Sequence, residues 1–411
     1  MITLSQIAIT KECISKMTAD QVENGLQSET LPPECKACGQ FFLKNKKHRG
    51  IHGTSAAIRV LGGAQNQNYN HLLPQLVNYL TQRNNIDEFS GQVNIKNNYP
   101  HDQKNIIKIS EQLYSLSYVK HANADISILF EKLQTSLISC TNSKKVGWSY
   151  FTDDLTNDPE ILPTSFAVMA LNSHGKNVEK EVEYIINYLK PYSEKDFPDP
   201  TTFAISVFAL YVITKINTSI KNKFINEVEL KKLFKKIWKS QFCILDDNIE
   251  QDVDYWSKDD DDFSIKVPWQ LYMLAMSSIY SPLSFCKTKS QKILSSIYQS
   301  IEEGNGFKYK YSSRYISVRT NSIVFDTFSV IQKNYHNQTL FTTYHLYDKL
   351  RIFFGQPWFR QLIIGVFYIV TVYTIYLWLT STGHLSEKLK ELGPHTLVII
   401  LVFLYDFGKK K

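Results

Sequence analysis

Two groups of residues in this chain have the types and spacing to do chemistry. The first is Cys35-Lys-Ala-Cys38, followed by His48 and His52. Cys-x2-Cys and His-x3-His are ordinary zinc-ligand spacings, and thiolate with imidazole is a donor set that zinc favours. The interval from Cys38 to His48 is shorter than a classical finger allows. Four protein ligands would close the coordination sphere, so zinc here would be structural and not catalytic. Without metal, the same residues read as two thiols and a histidine at the start of a helix. The second group is the run Asp259-Asp260-Asp261-Asp262. A carboxyl kept protonated by burial could protonate a substrate. Four consecutive aspartates cannot all be buried, and Asp246, Asp247, Glu250, Asp252 and Asp254 precede them. A solvated acidic loop is therefore the favoured reading. A calcium loop of the EF-hand type needs a turn glycine that this run lacks.

Other signatures are absent. The chain has no Gly-x-x-x-x-Gly-Lys-Ser/Thr, Gly-x-Gly-x-x-Gly or Gly-x-Ser-x-Gly, the motifs of phosphate loops and nucleophile elbows. The segment Lys231-Lys-Leu-Phe-Lys-Lys-Ile-Trp-Lys239 is amphipathic and basic. It could touch anionic lipid, but a solvated outer helix face is favoured.

The elements that would position these residues repeat along the chain. Thr164-Ser-Phe-Ala-Val-Met-Ala-Leu171 aligns with Thr54-Ser-Ala-Ala-Ile-Arg-Val-Leu61 in its small residues and closing leucine. After each comes a polar gap and a second apolar segment ending in Tyr-Leu, 72–80 and 178–189. Six such units can be traced, with first helices near Thr54, Ser110, Thr164, Thr201, Pro268 and Thr320. Second helices are expected near 72–80, 126–137, 178–189, 227–238, 291–301 and 340–353. Apolar residues recur there at helical spacing, as in Val182, Ile185, Ile186 and Leu189. A Ser or Thr before each first helix suits an N-cap. Glycine-aromatic turns lie between units, in Val146-Gly-Trp-Ser-Tyr150 and Asn305-Gly-Phe-Lys-Tyr309.

This grammar resembles the repeats of the prenyltransferase, squalene-hopene cyclase and thioester-domain superfamily, over about residues 50–353. The resemblance implies an all-α fold, an α/α toroid of about six helix pairs, and says little about activity. An open α-solenoid would satisfy the same helix-pair pattern; closure is favoured. The prenyltransferase zinc site needs Asp-x-Cys, and no cysteine here has an aspartate two positions earlier. Class II terpene cyclases use Asp-x-Asp-Asp as their acid. By that resemblance Asp259, Asp261 and Asp262 would be catalytic, although the aligned helix begins several residues later, near Pro268. Gly50-Ile-His-Gly53 also resembles a turn of the zinc-dependent lanthionine cyclases, whose other ligand segments are absent.

The chain has 411 residues, a net charge of +7 and six cysteines at irregular spacings. The charge is spread over Lys-rich faces, so no nucleic-acid partner is expected. The cysteines do not make a disulfide framework, which suits reduced thiols. Met1 to Lys11 lacks the basic head and apolar run of a signal peptide. From Leu362 to Thr382 there is no charged residue, which fits the ~20 residues that span a bilayer. Leu362, Ile369, Tyr376 and Trp378 would face or anchor in lipid. A second apolar run, 396–405, contains Leu397 and Phe403, is short for a span, and ends near Lys409-Lys-Lys411. The positive charge outside these runs places the body and C-terminus in the cytosol at the inner (cytoplasmic) membrane.

The domain plan is therefore an extension over 1–50 with the zinc-like segment, a toroid over 51–354 and a membrane tail over 355–411. Two functions fit. The favoured one is a non-catalytic binding or sensing body coupled to membrane helices, which oligomerise and perturb the bilayer. In bacteria that arrangement looks, by analogy, like an anti-phage defence effector. The alternative is a membrane-tethered enzyme of prenyl or terpenoid lipids that uses the toroid cavity.

Overall fold

The computed structural model describes residues 2–24, 34–39, 41–42, 50–64, 67–81, 105–119, 126–140, 145–152, 158–243, 256–260, 263–267, 269–280 and 316–334, with scattered residues in 290–298 and at 376 and 380. The chain divides into two compact units, Met1–Thr342 and Thr343–Lys411.

The first unit is mostly helical. Its helices are α1 (Leu4–Asn24), α2 (Ile51–Ala64), α3 (Leu73–Thr81), α4 (Ile106–Leu116), α5 (Ser127–Thr135), α6 (Ile161–Ser173), α7 (Glu179–Leu189), α8 (Pro200–Lys215), α9 (Thr218–Lys221), α10 (Glu227–Lys239), α11 (Trp269–Ile279) and α12 (Val318–Asn334). Two kinds of helix follow from two kinds of sequence. In α6 every residue from Ile161 to Ala170 is buried, and in α8 nearly all from Phe203 to Ile213 are. A helix apolar all round has no solvent face and must be packed on every side. By contrast α7 buries Val182, Ile185, Ile186 and Leu189, and α10 buries Leu230, Leu233, Phe234, Ile237 and Trp238. Those are single stripes at helical spacing, leaving a polar outer face.

Helices α2, α4, α6, α8, α11 and α12 each pack on the next, and α12 packs back on α2. They contact one another in a closed cycle. Their starts match the six first helices expected from the repeat. The amphipathic helices α3, α5, α7 and α10 pack on α2, α4, α6 and α8. Helix α1 packs on both α2 and α12, where the cycle closes.

Strands are short. β1 (Phe41–Phe42) pairs antiparallel with β6 (Ile316–Ser317), joining the segments that precede α2 and α12. β2 (Ile138–Cys140) pairs with β3 (Lys145–Gly147) before α6. β4 (Trp256–Asp260) pairs with β5 (Phe263–Val267).

The repeated threonine has a different task from the expected N-cap. Thr54 and Thr164 lie inside the first turns of α2 and α6, and the residue that precedes α6, Glu160, makes no side-chain cap. Instead each threonine grips a backbone residue sixteen positions earlier. The Cys38 N–H donates to Thr54 Oγ1 at 3.0 Å, and the Thr54 hydroxyl donates to the Cys38 carbonyl at 3.3 Å. The Trp148 N–H donates to Thr164 Oγ1 at 3.0 Å, and the Thr164 hydroxyl donates back at 3.4 Å. Gly147 allows this approach, because a Cβ there would stand 2.3 Å from Thr164 Oγ1. The glycine-tryptophan turn is thus a strap fastened to the next inner helix. Trp148 is buried and its indole N–H donates to the Leu133 carbonyl at 2.7 Å, tying the strap to the end of α5. True caps come from other residues: Asn105 for α4, Asp199 for α8 and Asn226, in a capping box with Glu229, for α10.

In the second unit only Tyr376 and Thr380 are described; Tyr376 is exposed, and its carbonyl accepts from the Thr380 hydroxyl at 2.9 Å. Among the described residues no helix is long and apolar enough to cross a membrane. The expected spans, with Leu362, Ile369, Trp378, Leu397 and Phe403, otherwise lie outside the described residues.

Candidate functional site

The inner helices carry charges inside otherwise buried stretches, and these charges meet. Glu111, midway along α4, is 3% exposed and sits between Arg319 and His52. Arg319, at the start of α12, donates from Nε to Glu111 Oε1 at 3.1 Å. His52, at the start of α2, pairs through Nδ1 with Glu111 Oε2. Burial alone would push this carboxyl up. Arg319, His52 and Arg59 outweigh it and hold Glu111 well below the usual carboxylate range.

About two turns further along α2 lies a second cluster. Arg59 is buried, donates from Nη2 to Ser322 Oγ at 2.8 Å, and has Nη1 at 3.8 Å from Asp326 Oδ2. The Tyr118 hydroxyl donates to Asp326 Oδ1 at 3.1 Å and lies 3.0 Å from the Tyr114 hydroxyl. Since Tyr118 has one proton and spends it on the carboxylate, Tyr114 donates to Tyr118. Burial raises the Asp326 pKa, and Arg59, Tyr118, Lys215 and Lys11 only partly reverse the rise. Burial and the same carboxylate push Tyr114 up to about 12 and Tyr118 well above its ordinary value.

This second cluster floors a cleft of about 1090 Å³. Gly63 from the end of α2, Tyr118 after α4, Ser173 from the end of α6, Lys215 from the end of α8 and Asp326 and Lys333 from α12 all line it. The cleft therefore lies where the C-terminal ends of the inner helices gather. Lys215 holds its ammonium 5.3 Å from the Tyr211 ring centre. Its pKa is lowered, chiefly by burial and further by Lys333, against the pull of Asp326. Among the described residues neither Lys215 nor Lys333 has a carboxylate ion pair or a hydrogen bond.

The residues singled out in the sequence fall elsewhere. Cys35 and Cys38 are buried, and burial pushes the Cys38 thiol up to about 12, so it stays protonated at neutral pH. His52 gives Nδ1 to Glu111, and His48 lies outside the described residues. Among the described residues no group of three or more His, Cys, Asp or Glu could hold a metal ion. Asp259 and Asp260 lie on β4, paired with Ser264 and Phe263 of β5, where the sequence suggested a loop. Asp261 and Asp262 lie outside the described residues. Of the basic helix, Lys231, Lys232 and Lys236 face Glu227, Glu194 and Asp196 on the surface.

The sequence did hold a signal for the charges it left unassigned. Arg59 interrupts Ala56-Ala-Ile-Arg-Val-Leu61, and Asp326 interrupts Ile323-Val-Phe-Asp-Thr-Phe328. A charge in the middle of a helix buried all round needs a partner. Comparison with known protein families, with curated proteins and with solved structures gave no match to this chain.

Proposed function

We propose that the chain is an α/α toroid that serves as a binding body for a small polar ligand, coupled through residues 355–411 to the bilayer. The observation that carries this reading is the cleft of about 1090 Å³ at one end of the closed helix cycle, with a buried, hydrogen-bonded charge cluster as its floor. Concave sites of several hundred Å³ with a few converging polar groups are the usual form of small-molecule sites. The closed cycle of α2, α4, α6, α8, α11 and α12, with amphipathic helices outside it, supports the toroid. The uncharged run Leu362 to Thr382 supports the membrane tail.

In this reading the body faces the cytosol, ligand occupancy alters how the chains associate, and the tail disturbs the membrane in a defence or stress response. The test is inducible expression of the full chain beside a chain ended at Gly355. The full chain should slow growth and depolarise the membrane while the shortened chain does neither. Equal growth and equal membrane potential would remove the effector reading.

A further inference from the structure

The cleft holds more positive charge than its carboxylate can answer. Lys215, Lys333 and Asp326 line it, and the buried Arg59 and the Lys11 ammonium act on the same carboxylate from outside the lining. Asp326 is already engaged by Arg59 and by the Tyr118 hydroxyl. Lys11 spends its ammonium on Gln332 Oε1 at 2.8 Å and on the face of Phe325. Lys215 and Lys333 stand in the last turns of α8 and α12, and each helix end offsets about half a charge. Two ammonium groups with no carboxylate of their own among the described residues still share the cleft. Like charges gathered in one concave site attract an anion that answers both. The rings of Tyr211 and Phe325 line the same cleft.

We infer that the cleft binds a small organic dianion, a phosphomonoester or a dicarboxylate, with its charged head between Lys215 and Lys333 and its body against Tyr211 and Phe325. The inference rests on the binding-body reading and gives that site its ligand class. A monoanion leaves one ammonium unanswered, and a cation adds to the excess.

Titration calorimetry on the full chain in detergent micelles tests it with four ring-bearing probes: phenyl phosphate, isophthalate, benzoate and phenyltrimethylammonium. At least one dianion should bind about tenfold or more tighter than benzoate, and which of the two binds tells phosphomonoester from dicarboxylate. K215M/K333M should weaken that binding by at least about tenfold, the scale of losing paired charges in a partly buried site. K215R/K333R keeps the charge and should restore it, and K231M/K232M, on the outer surface, should leave it unchanged. Binding of benzoate or of the cation as tightly as the dianions overturns the inference, as does dianion binding that survives K215M/K333M. Saturable binding of phenyltrimethylammonium alone, lost in D326N, would keep a binding body while discarding the dianion. Silence of all four probes overturns the inference, and the truncation at Gly355 then judges the effector reading separately.

Discussion

Glu111 and Asp326 are both carboxylates buried among the same inner helices, yet their surroundings drive them in opposite directions. Glu111 has Arg319 and His52 on its two oxygens and is held well below the usual range. Asp326 has one guanidinium at 3.8 Å and one tyrosine hydroxyl, and its pKa is raised. The Glu111 end of the cycle is also where the Thr54 and Thr164 hydroxyls fasten their straps. The Asp326 end is where the cleft opens and where two ammonium groups stand without carboxylates. At one end the carboxylate has a partner on each oxygen. The other is left to be completed by a ligand.

The strongest way to break the contrast is E111Q. Removing the carboxylate strips the Arg319 guanidinium and the His52 ring of their shared partner in a buried site and should cost about 3–5 kcal/mol at neutral pH, read from chemical denaturation of the full chain. A group whose folded pKa is depressed stabilises above its unfolded value, about 4.3 for Glu, and loses that as pH falls. The gap between wild type and E111Q should therefore be full at neutral pH, stay level down to about 4.3 and close only as the pH falls further. Unchanged stability at neutral pH would contradict the pairing.

Next in size is T164V, which keeps the shape but leaves the buried Trp148 N–H without an acceptor. It should cost about 1–3 kcal/mol, and hydrogen exchange should show faster opening of the 145–150 strap. Protection unchanged there would remove the strap's role at the closed end.

D326N should cost less than E111Q, about 1–2 kcal/mol, and with the opposite pH trend. A carboxyl whose folded pKa is raised loses stability as pH rises from its unfolded value, about 3.9 for Asp, through its folded value. The gap between wild type and D326N should narrow as pH rises above about 3.9, where the E111Q gap is level. Parallel trends for the two variants would erase the distinction between the ends.

The smallest effect is expected from K215M, within about 0.5 kcal/mol of wild type in the absence of ligand. A solvent-reached ammonium with no carboxylate partner gives up little on removal. A large destabilisation would show that Lys215 belongs to the fold and not to a ligand.

The sequence made the inner helices legible because their burial on all sides forces runs of small and apolar residues, as in Thr164 to Leu171. The outer helices α7 and α10 were legible through their single stripes. Helix α1 gave a weaker pattern, because its buried face mixes Ile7, Ile14 and Val22 with Thr10, Ser15 and Thr18. Asp259 and Asp260 looked like loop residues, and the β4–β5 pairing overrides an acidic composition that strands usually avoid. The cleft was not legible. Arg59, Tyr118, Lys215 and Asp326 come from four separate segments, and only the closed cycle brings them together. What draws attention in sequence is clustered residues such as Cys35 and Cys38 or the aspartate run; the cleft's residues are isolated, one charge to a helix.

The excess of positive charge at the open end is tested most directly by the titration of Lys215, followed by NMR of the side-chain ammonium in the full chain and assigned with K215R. Its pKa should lie below the ordinary lysine value of about 10.4, rise in K333M, and rise again when isophthalate is added to the wild-type protein. A Lys215 that titrates at or above the ordinary value, and that responds neither to K333M nor to isophthalate, would contradict a cleft left short of negative charge.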